Sequence, residues 1–128
     1  MSVREKVRVL VVDDMSTSRG IILQALDSFG VRQVEYAENG IAALDSIRRR
    51  PVHLVISDYN MPKMDGLHLL HAIRSNPDTA KTGFVMVSGK ADPKVMEAGR
   101  KLRMNNFITK PFDAPGLKAA IEAVVGRL

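Results

Sequence analysis

Val52-His53-Leu54-Val55-Ile56-Ser57-Asp58-Tyr59-Asn60-Met61-Pro62-Lys63-Met64-Asp65-Gly66 decides how the rest of the chain is read. The apolar run from His53 to Ile56 has strand length and is too short for a helix. Its nearly continuous aliphatic character, with β-branched Val55 and Ile56, predicts a strand covered on both faces, as in a parallel sheet. The run stops at Asp58, which puts a carboxylate at the strand's carboxyl end. Ligands of open α/β sheets bind outside those ends. Pro62 and Gly66 break regular structure, so a loop precedes the next helix. Asp58 is therefore a candidate nucleophile or metal ligand, although a single strand-end Asp can equally cap a turn.

Working outward, residues 7–12 form a second buried run, and it ends in Asp13-Asp14. Ser16 or Thr17 is placed to cap the following helix, whose apolar face is Ile21, Ile22, Ala25, Leu26 and Phe29. Gly30 stands where that helix ends. Gln33 to Ala37 reads as a short strand with Asn39-Gly40 as its turn. Ile41, Leu44 and Ile47 mark a second helix, closed by Arg48-Arg49-Arg50, cations that suit a helix C-terminus, and by Pro51. Leu67, Leu70 and Ile73 give a third helix, ending before Asn76-Pro77. Residues 84–87 are a further strand, ending in Ser88-Gly89. Asp92 is expected to cap a fourth helix through Val95, Met96, Gly99 and Leu102. Residues 107–109 are the last strand, followed by Lys110-Pro111. Asp113 is expected to cap a final helix with Leu117, Ala120, Ile121, Val124 and Val125 inside. Five strands alternating with five helices predict a doubly wound, flavodoxin-like α/β fold. It has a five-stranded parallel sheet, helices on both faces and strand order 2-1-3-4-5.

At 128 residues the chain suits one domain, residues 1–128, and can bury a core without disulfide or zinc support. No cysteine is present, which excludes disulfides, thiolate metal sites and Cys nucleophiles and fits a reducing cytoplasm. The apolar run before Asp13 is too short for a signal-peptide core or a membrane span, so a cytoplasmic location is expected. The formal net charge of +5 favours acidic partners. Its cations are dispersed, with no aromatic interleaving or nucleic-acid motif, and read as a solvated basic surface. No nucleic-acid or membrane partner is expected, and the chain should be a monomer.

Four strands thus end in polar groups on one rim: Asp13-Asp14, Asp58, Ser88 and Lys110. Helix and turn capping accounts for Asp13 and Ser88 singly but not for Lys110, which follows a buried strand and precedes a proline. Three crowded carboxylates must hold protons or bind a cation. An all-oxygen set points to a hard cation, and Mg²⁺ fits better than zinc. With Lys110 and a dication the charge balances, leaving a site suited to an incoming phosphoryl group. Phosphoryl transfer depends on alignment and on neutralising the equatorial oxygens. Mg²⁺, Lys110 and the Ser88 hydroxyl could each take one oxygen while a carboxylate attacks. The chemistry alone leaves open which Asp attacks. Asp58 is preferred as the single acid on a central strand, while the Asp13-Asp14 pair suits metal capture.

This set resembles the signature of response-regulator receiver domains, and within them the single-domain chemotaxis regulators. The likeness is carried by residues 13–19 (DDMSTSR), 56–62 (ISDYNMP), 64–67 (MDGL) and 110–112 (KPF), and it covers nearly the whole chain. The resemblance implies that Asp58 takes phosphate from a histidine kinase of the CheA-like type. It implies Mg²⁺ held by Asp14, Asp58 and the Asn60 carbonyl, with Asp13 acting largely through water. It also implies a cis Lys110-Pro111 bond and a Ser88–Phe107 switch pair. Its expected partners are the flagellar motor switch protein or another phosphorylation-dependent target, and a phosphatase. In that reading the chain is a switch whose chemistry is confined to its own phosphorylation and dephosphorylation.

Departures from the pattern are Phe107 in place of a usual Tyr, Tyr59 in place of a familiar Trp, Lys90, and Arg103-Met104. The last pair implies a reshaped end to the fourth helix. One rival reading is a Mg²⁺-dependent haloacid-dehalogenase-type phosphatase, which wants its nucleophile on the first strand in an Asp-x-Asp pattern and a cap insertion. Another is a flavin module, whose phosphate three rim acids would repel. A phosphate sink or a regulator outside chemotaxis keeps the same site with another output. Lys90, Lys94, Arg100, Lys101, Arg103 and Lys118 mark an output face on the fourth helix, last strand and last helix. His68 and His71 read as a solvated helix face, His53 as the start of a strand, and the seven Met residues as core filler.

Overall fold

Strands β1 (Arg8–Val12), β2 (Gln33–Ala37), β3 (Leu54–Asp58), β4 (Gly83–Ser88) and β5 (Asn106–Thr109) form one parallel sheet. Their order, β2-β1-β3-β4-β5, is the expected one. The structure is a computed structural model and describes residues 2–128. Every residue of β3 and β4 is buried, in keeping with their unbroken apolar composition. The helices are α1 (Val3–Lys6), α2 (Ser16–Ser28), α3 (Gly40–Arg49), α4 (Gly66–Ser75), α5 (Pro93–Lys101) and α6 (Ala114–Val125). The short α1 has no apolar periodicity and was not expected. No helix among the described residues is long and apolar enough to cross a membrane.

Alternation along the strands divides the core in two. Val9, Val11, Leu54, Ile56, Val85 and Val87 meet Ile22 and Leu26 of α2 and Leu117 and Ile121 of α6. Leu10, Val12, Val55, Phe84 and Met86 meet Ile47 of α3 and Leu69, Leu70 and Ile73 of α4. Each such side chain contributes about 1.5–3 kcal/mol of burial, which is why the strand tips are rigidly placed.

Several local expectations change. Ile21 and Ile41 are exposed, because each lies about 100° around its helix from the buried Ile22 or Gly40. Neither Ser16 nor Thr17 caps α2. The helix begins at Ser16, so its N-cap is Met15, which has no side-chain oxygen to offer; just upstream the Asp13 carboxylate accepts the Met15 N–H at 3.0 Å. His53 lies outside β3, yet its Nδ1 accepts the Arg8 N–H and its own N–H donates to the Arg8 carbonyl, both at 2.9 Å. A side chain thus makes the first rung beside β1. Met61 and Met86 fill the core, but Met15 and Met96 are exposed; Met1 lies outside the described residues. Asp92 and Asp113 cap α5 and α6 as expected, and Asn39 and Asp65 likewise cap α3 and α4. His68 is exposed and its Nδ1 lies 3.0 Å from the Asp65 carboxylate.

Helices α2 and α5 end in the same way. After α2, Gly30 is left-handed (φ 81°), its N–H donates to the Asp27 carbonyl, and the Val31 N–H donates to the Leu26 carbonyl. After α5, Arg103 is left-handed (φ 62°), its N–H donates to Arg100, and the Met104 N–H donates to Gly99. Both are Schellman closures, the second with an arginine where glycine is usual. The Arg103 carbonyl is also held from outside. Arg74, at the end of α4, donates to the carbonyls of Ala80 (3.1 Å), Thr82 (2.6 Å) and Arg103 (3.0 Å) and to the Asn105 side chain (3.2 Å). One guanidinium therefore ties three segments together.

Candidate functional site

Backbone bonds that continue the ladders past the strand ends fix the rim. The Asp13 N–H donates to the Ala37 carbonyl at 3.1 Å, Tyr59 to Val87 at 2.9 Å, and Lys110 to Ser88 at 2.8 Å. Asp13, Ser88 and Lys110 are thereby pinned directly to neighbouring strands, and Asp58 through the next residue, Tyr59. The Lys110-Pro111 peptide is cis, as the resemblance implies.

Asp13, Asp14 and Asp58 converge at this rim. One carboxylate oxygen from each lies within 4.8 Å of the others. Asp13 is fully buried, Asp58 nearly so, and Asp14 exposed. Lys110 enters between them, its Nζ 3.5 Å from Asp58 Oδ1 and 3.7 Å from Asp13 Oδ2. Its shortest contact is to neither acid but to the hydroxyl of Ser18 on α2, at 2.7 Å. Burial pushes the Asp58 carboxyl above its ordinary value. Lys110 opposes that rise, and the Asp13 carboxylate adds to it.

Asp13 Oδ2 is buried and has no hydrogen-bond donor among the described residues. Such an oxygen is costly unless something satisfies it. A hard dication does so, and three carboxylates with an exposed loop residue, Asn60, beside them make an oxygen-only donor set. The residues present fit Mg²⁺.

Ser88 is on the same rim, and its hydroxyl accepts the Lys90 N–H at 3.3 Å. Phe107 is not at the rim. It pairs with Met86, two residues back from the Ser88–Thr109 pair, and its half-buried ring packs on the α3–α4 side of the core. Two residues beside the site were not singled out from sequence. Ser18 reaches Lys110, and Arg19 donates to the Asp13 carbonyl at 3.0 Å while stacking 4.4 Å from the Tyr36 ring centre. Both belong to the 13–19 stretch, and Ser18 continues the Ile22–Leu26 stripe at i−4, a signal that a buried-face hydroxyl carries.

Residues 9–122 match the family model described as response regulator receiver domain. The probable chemotaxis protein CheY of Rhizobium etli is 44% identical over 128 residues, 100% of this chain and 99% of that protein. Chemotaxis protein CheY-3 of Vibrio cholerae is 30% identical over 124 residues, 97% of this chain and 95% of that protein. The solved structure of Vibrio cholerae CheY4 superposes with a TM-score of 0.86 at 28% identity, over 92% of this chain and 98% of that one. This chain belongs to the response regulator receiver family, as a CheY-like regulator of two-component signalling.

Proposed function

We propose that residues 1–128 act as a single receiver domain that accepts a phosphoryl group on Asp58 and signals in chemotaxis. The observation that carries this reading is the buried Asp58 carboxylate ending the central strand, 3.5 Å from the Lys110 ammonium. The phosphodonor is a phosphohistidine of a CheA-like kinase. An Asp58 oxygen attacks the phosphorus in line, the phosphorus–nitrogen bond breaks, and the released imidazole takes up a proton. Lys110 and the Ser88 hydroxyl take phosphoryl oxygens as charge builds on them. Asp13, Asp14, Asp58 and the Asn60 carbonyl would hold Mg²⁺, which when bound neutralises the acids and draws charge from the phosphoryl oxygens.

The output is a change in partner affinity, since phosphorylation biases an equilibrium between two conformers. Ser88 and Phe107 are its switch pair. The face built from α5, β5 and α6 is the output surface, with Met96 exposed at 40% and lining, together with Phe107 and Phe112, one shallow hollow. Its occupant is the flagellar motor switch protein, and the chemotaxis names of the relatives support that choice.

Incubation with Mg²⁺ and acetyl phosphate should add one phosphate by mass spectrometry, and Asp58→Asn should abolish it. Labelling of Asp58→Asn at the wild-type rate would overturn the assignment. Capture of the motor switch protein by the phosphorylated form alone would support the chemotaxis output. Capture of the kinase alone would favour a phosphate sink.

A further inference from the structure

We infer that Ser18 is a positioning residue for Lys110, holding the ammonium away from the carboxylates of Asp58 and Asp13 until a phosphoryl group arrives. This rests on the reading of Asp58 as the phosphoacceptor. A charge-assisted bond between ammonium and carboxylate ordinarily spans about 2.7–2.9 Å. Lys110 Nζ instead stands 3.5 Å from Asp58 and 3.7 Å from Asp13, and spends its short contact, 2.7 Å, on a neutral hydroxyl. A neutral acceptor wins over two nearby anions only where the hydroxyl is fixed in place.

The fixing comes from α2. Ser18, Ile22 and Leu26 recur at helical spacing, and Ile22 and Leu26 are fully buried against the sheet. Ser18 is the rim-side member of that stripe, where an aliphatic residue would continue the core. Arg19 holds the same turn to the sheet through the Asp13 carbonyl. Helix α2 thus presents one hydroxyl to Lys110 from 92 residues away in sequence.

The arrangement has a chemical consequence. An ammonium closed onto Asp58 Oδ1 would occupy a lone pair needed for attack and would neutralise charge that attracts a cation. Held at the longer distance, it leaves Asp58 free to attack and Asp13 Oδ2 free to accept a cation. When the phosphoryl group is in place, its oxygens are stronger acceptors than the hydroxyl, and Lys110 transfers to them.

Ser18→Ala should therefore weaken Mg²⁺ binding, measured by calorimetry without any phosphodonor, by about three- to tenfold, the range one net hydrogen bond controls. The Lys110 side-chain NMR signals should shift toward those of a direct carboxylate pair. Acetyl phosphate labelling should slow together with the loss of Mg²⁺ affinity. Ser18→Thr, which keeps the hydroxyl, should restore Mg²⁺ affinity. Alanine is a better helix former than serine, so Ser18→Ala should fold. The proposal is overturned if Ser18→Ala binds Mg²⁺ like the wild type with Lys110 signals unmoved, or if Ser18→Thr loses as much as Ser18→Ala. Failure of the wild type to label at Asp58 would instead strike the phosphoacceptor reading, and the Mg²⁺ and NMR measurements would still decide the role of Ser18.

Discussion

Asp58 is held in an environment that disfavours its charged form, the form that the proposed attack requires. Burial raises its carboxyl pKa, Lys110 only partly compensates, and the buried Asp13 carboxylate works in the same direction as burial. In the folded state the proton is therefore bound more tightly than in the unfolded chain. For a carboxyl raised in this sense, folding free energy is lost as pH climbs from the ordinary value of 3.8 through the raised one, and the loss persists above it. Asp58→Asn removes the ionisation. In chelator at pH 7 it should melt above the wild type, with each kcal/mol of relief giving roughly 2–5 °C in a domain of this size. The gap should close as pH falls below 3.8, and a constant gap across pH in thermal melts would show that ionisation is not its source. The rim position of Asp58 and Lys110 was legible only from the four strand ends read together, because a lone strand-end Asp can equally cap a turn, whereas an ammonium between a buried strand and a proline has no capping duty. Ser18 was not, since its partner lies 92 positions away and chain spacing says nothing about which rim residues touch.

Elements follow the same division. Strands β3 and β4 were legible because an unbroken aliphatic run has no alternative environment in a chain of this length. Helix α1 was not, having no apolar face to betray it. The end of α5 shows why single departures from a pattern are hard to read. Arg103-Met104 signalled a reshaped terminus, but the structure keeps the closure that Gly30 makes after α2 and simply puts Arg103 in the left-handed region. A side chain there costs about 1–2 kcal/mol, against the roughly 0.5–1 kcal/mol that glycine loses through unfolded-state entropy. Removing Arg103 also relieves its repulsion of the Arg74 guanidinium. Arg103→Gly should accordingly raise the midpoint of urea unfolding, with a gain on the order of 0.5–1 kcal/mol. An unchanged or lowered midpoint would mean that the arginine stem contributes packing that offsets its strain.

Across the whole molecule, most of the exposed cations of α5, β5 and α6 lie away from the acidic rim, although Lys90 adjoins it through Ser88. Lys90, Lys94, Lys101, Arg103 and Lys118 are exposed on or beside α5, β5 and α6, whereas Arg100 is held by Glu97 at 2.7 Å. Free surface cations mainly speed encounter with an acidic partner and make association sensitive to salt. Reversing Lys94→Glu and Lys101→Glu together should slow partner association by about tenfold at low salt and leave acetyl phosphate labelling unchanged. Equal association rates for the variant and the wild type would move the output face elsewhere. The sheet order was legible from the alternation of strands and helices, but the long-range ties across it were not. Arg74 is the clearest of these. Its guanidinium joins the end of α4, the 80–82 turn and the Arg103–Asn105 turn. Segments tied through one group are coupled: removing the guanidinium, as in Arg74→Met, should loosen both turns together, with amide exchange rising in each. The loop entering β4, which ends at Ser88, and the turn entering β5, which leads to Lys110, are thus joined through one side chain although about 20 residues of chain separate them.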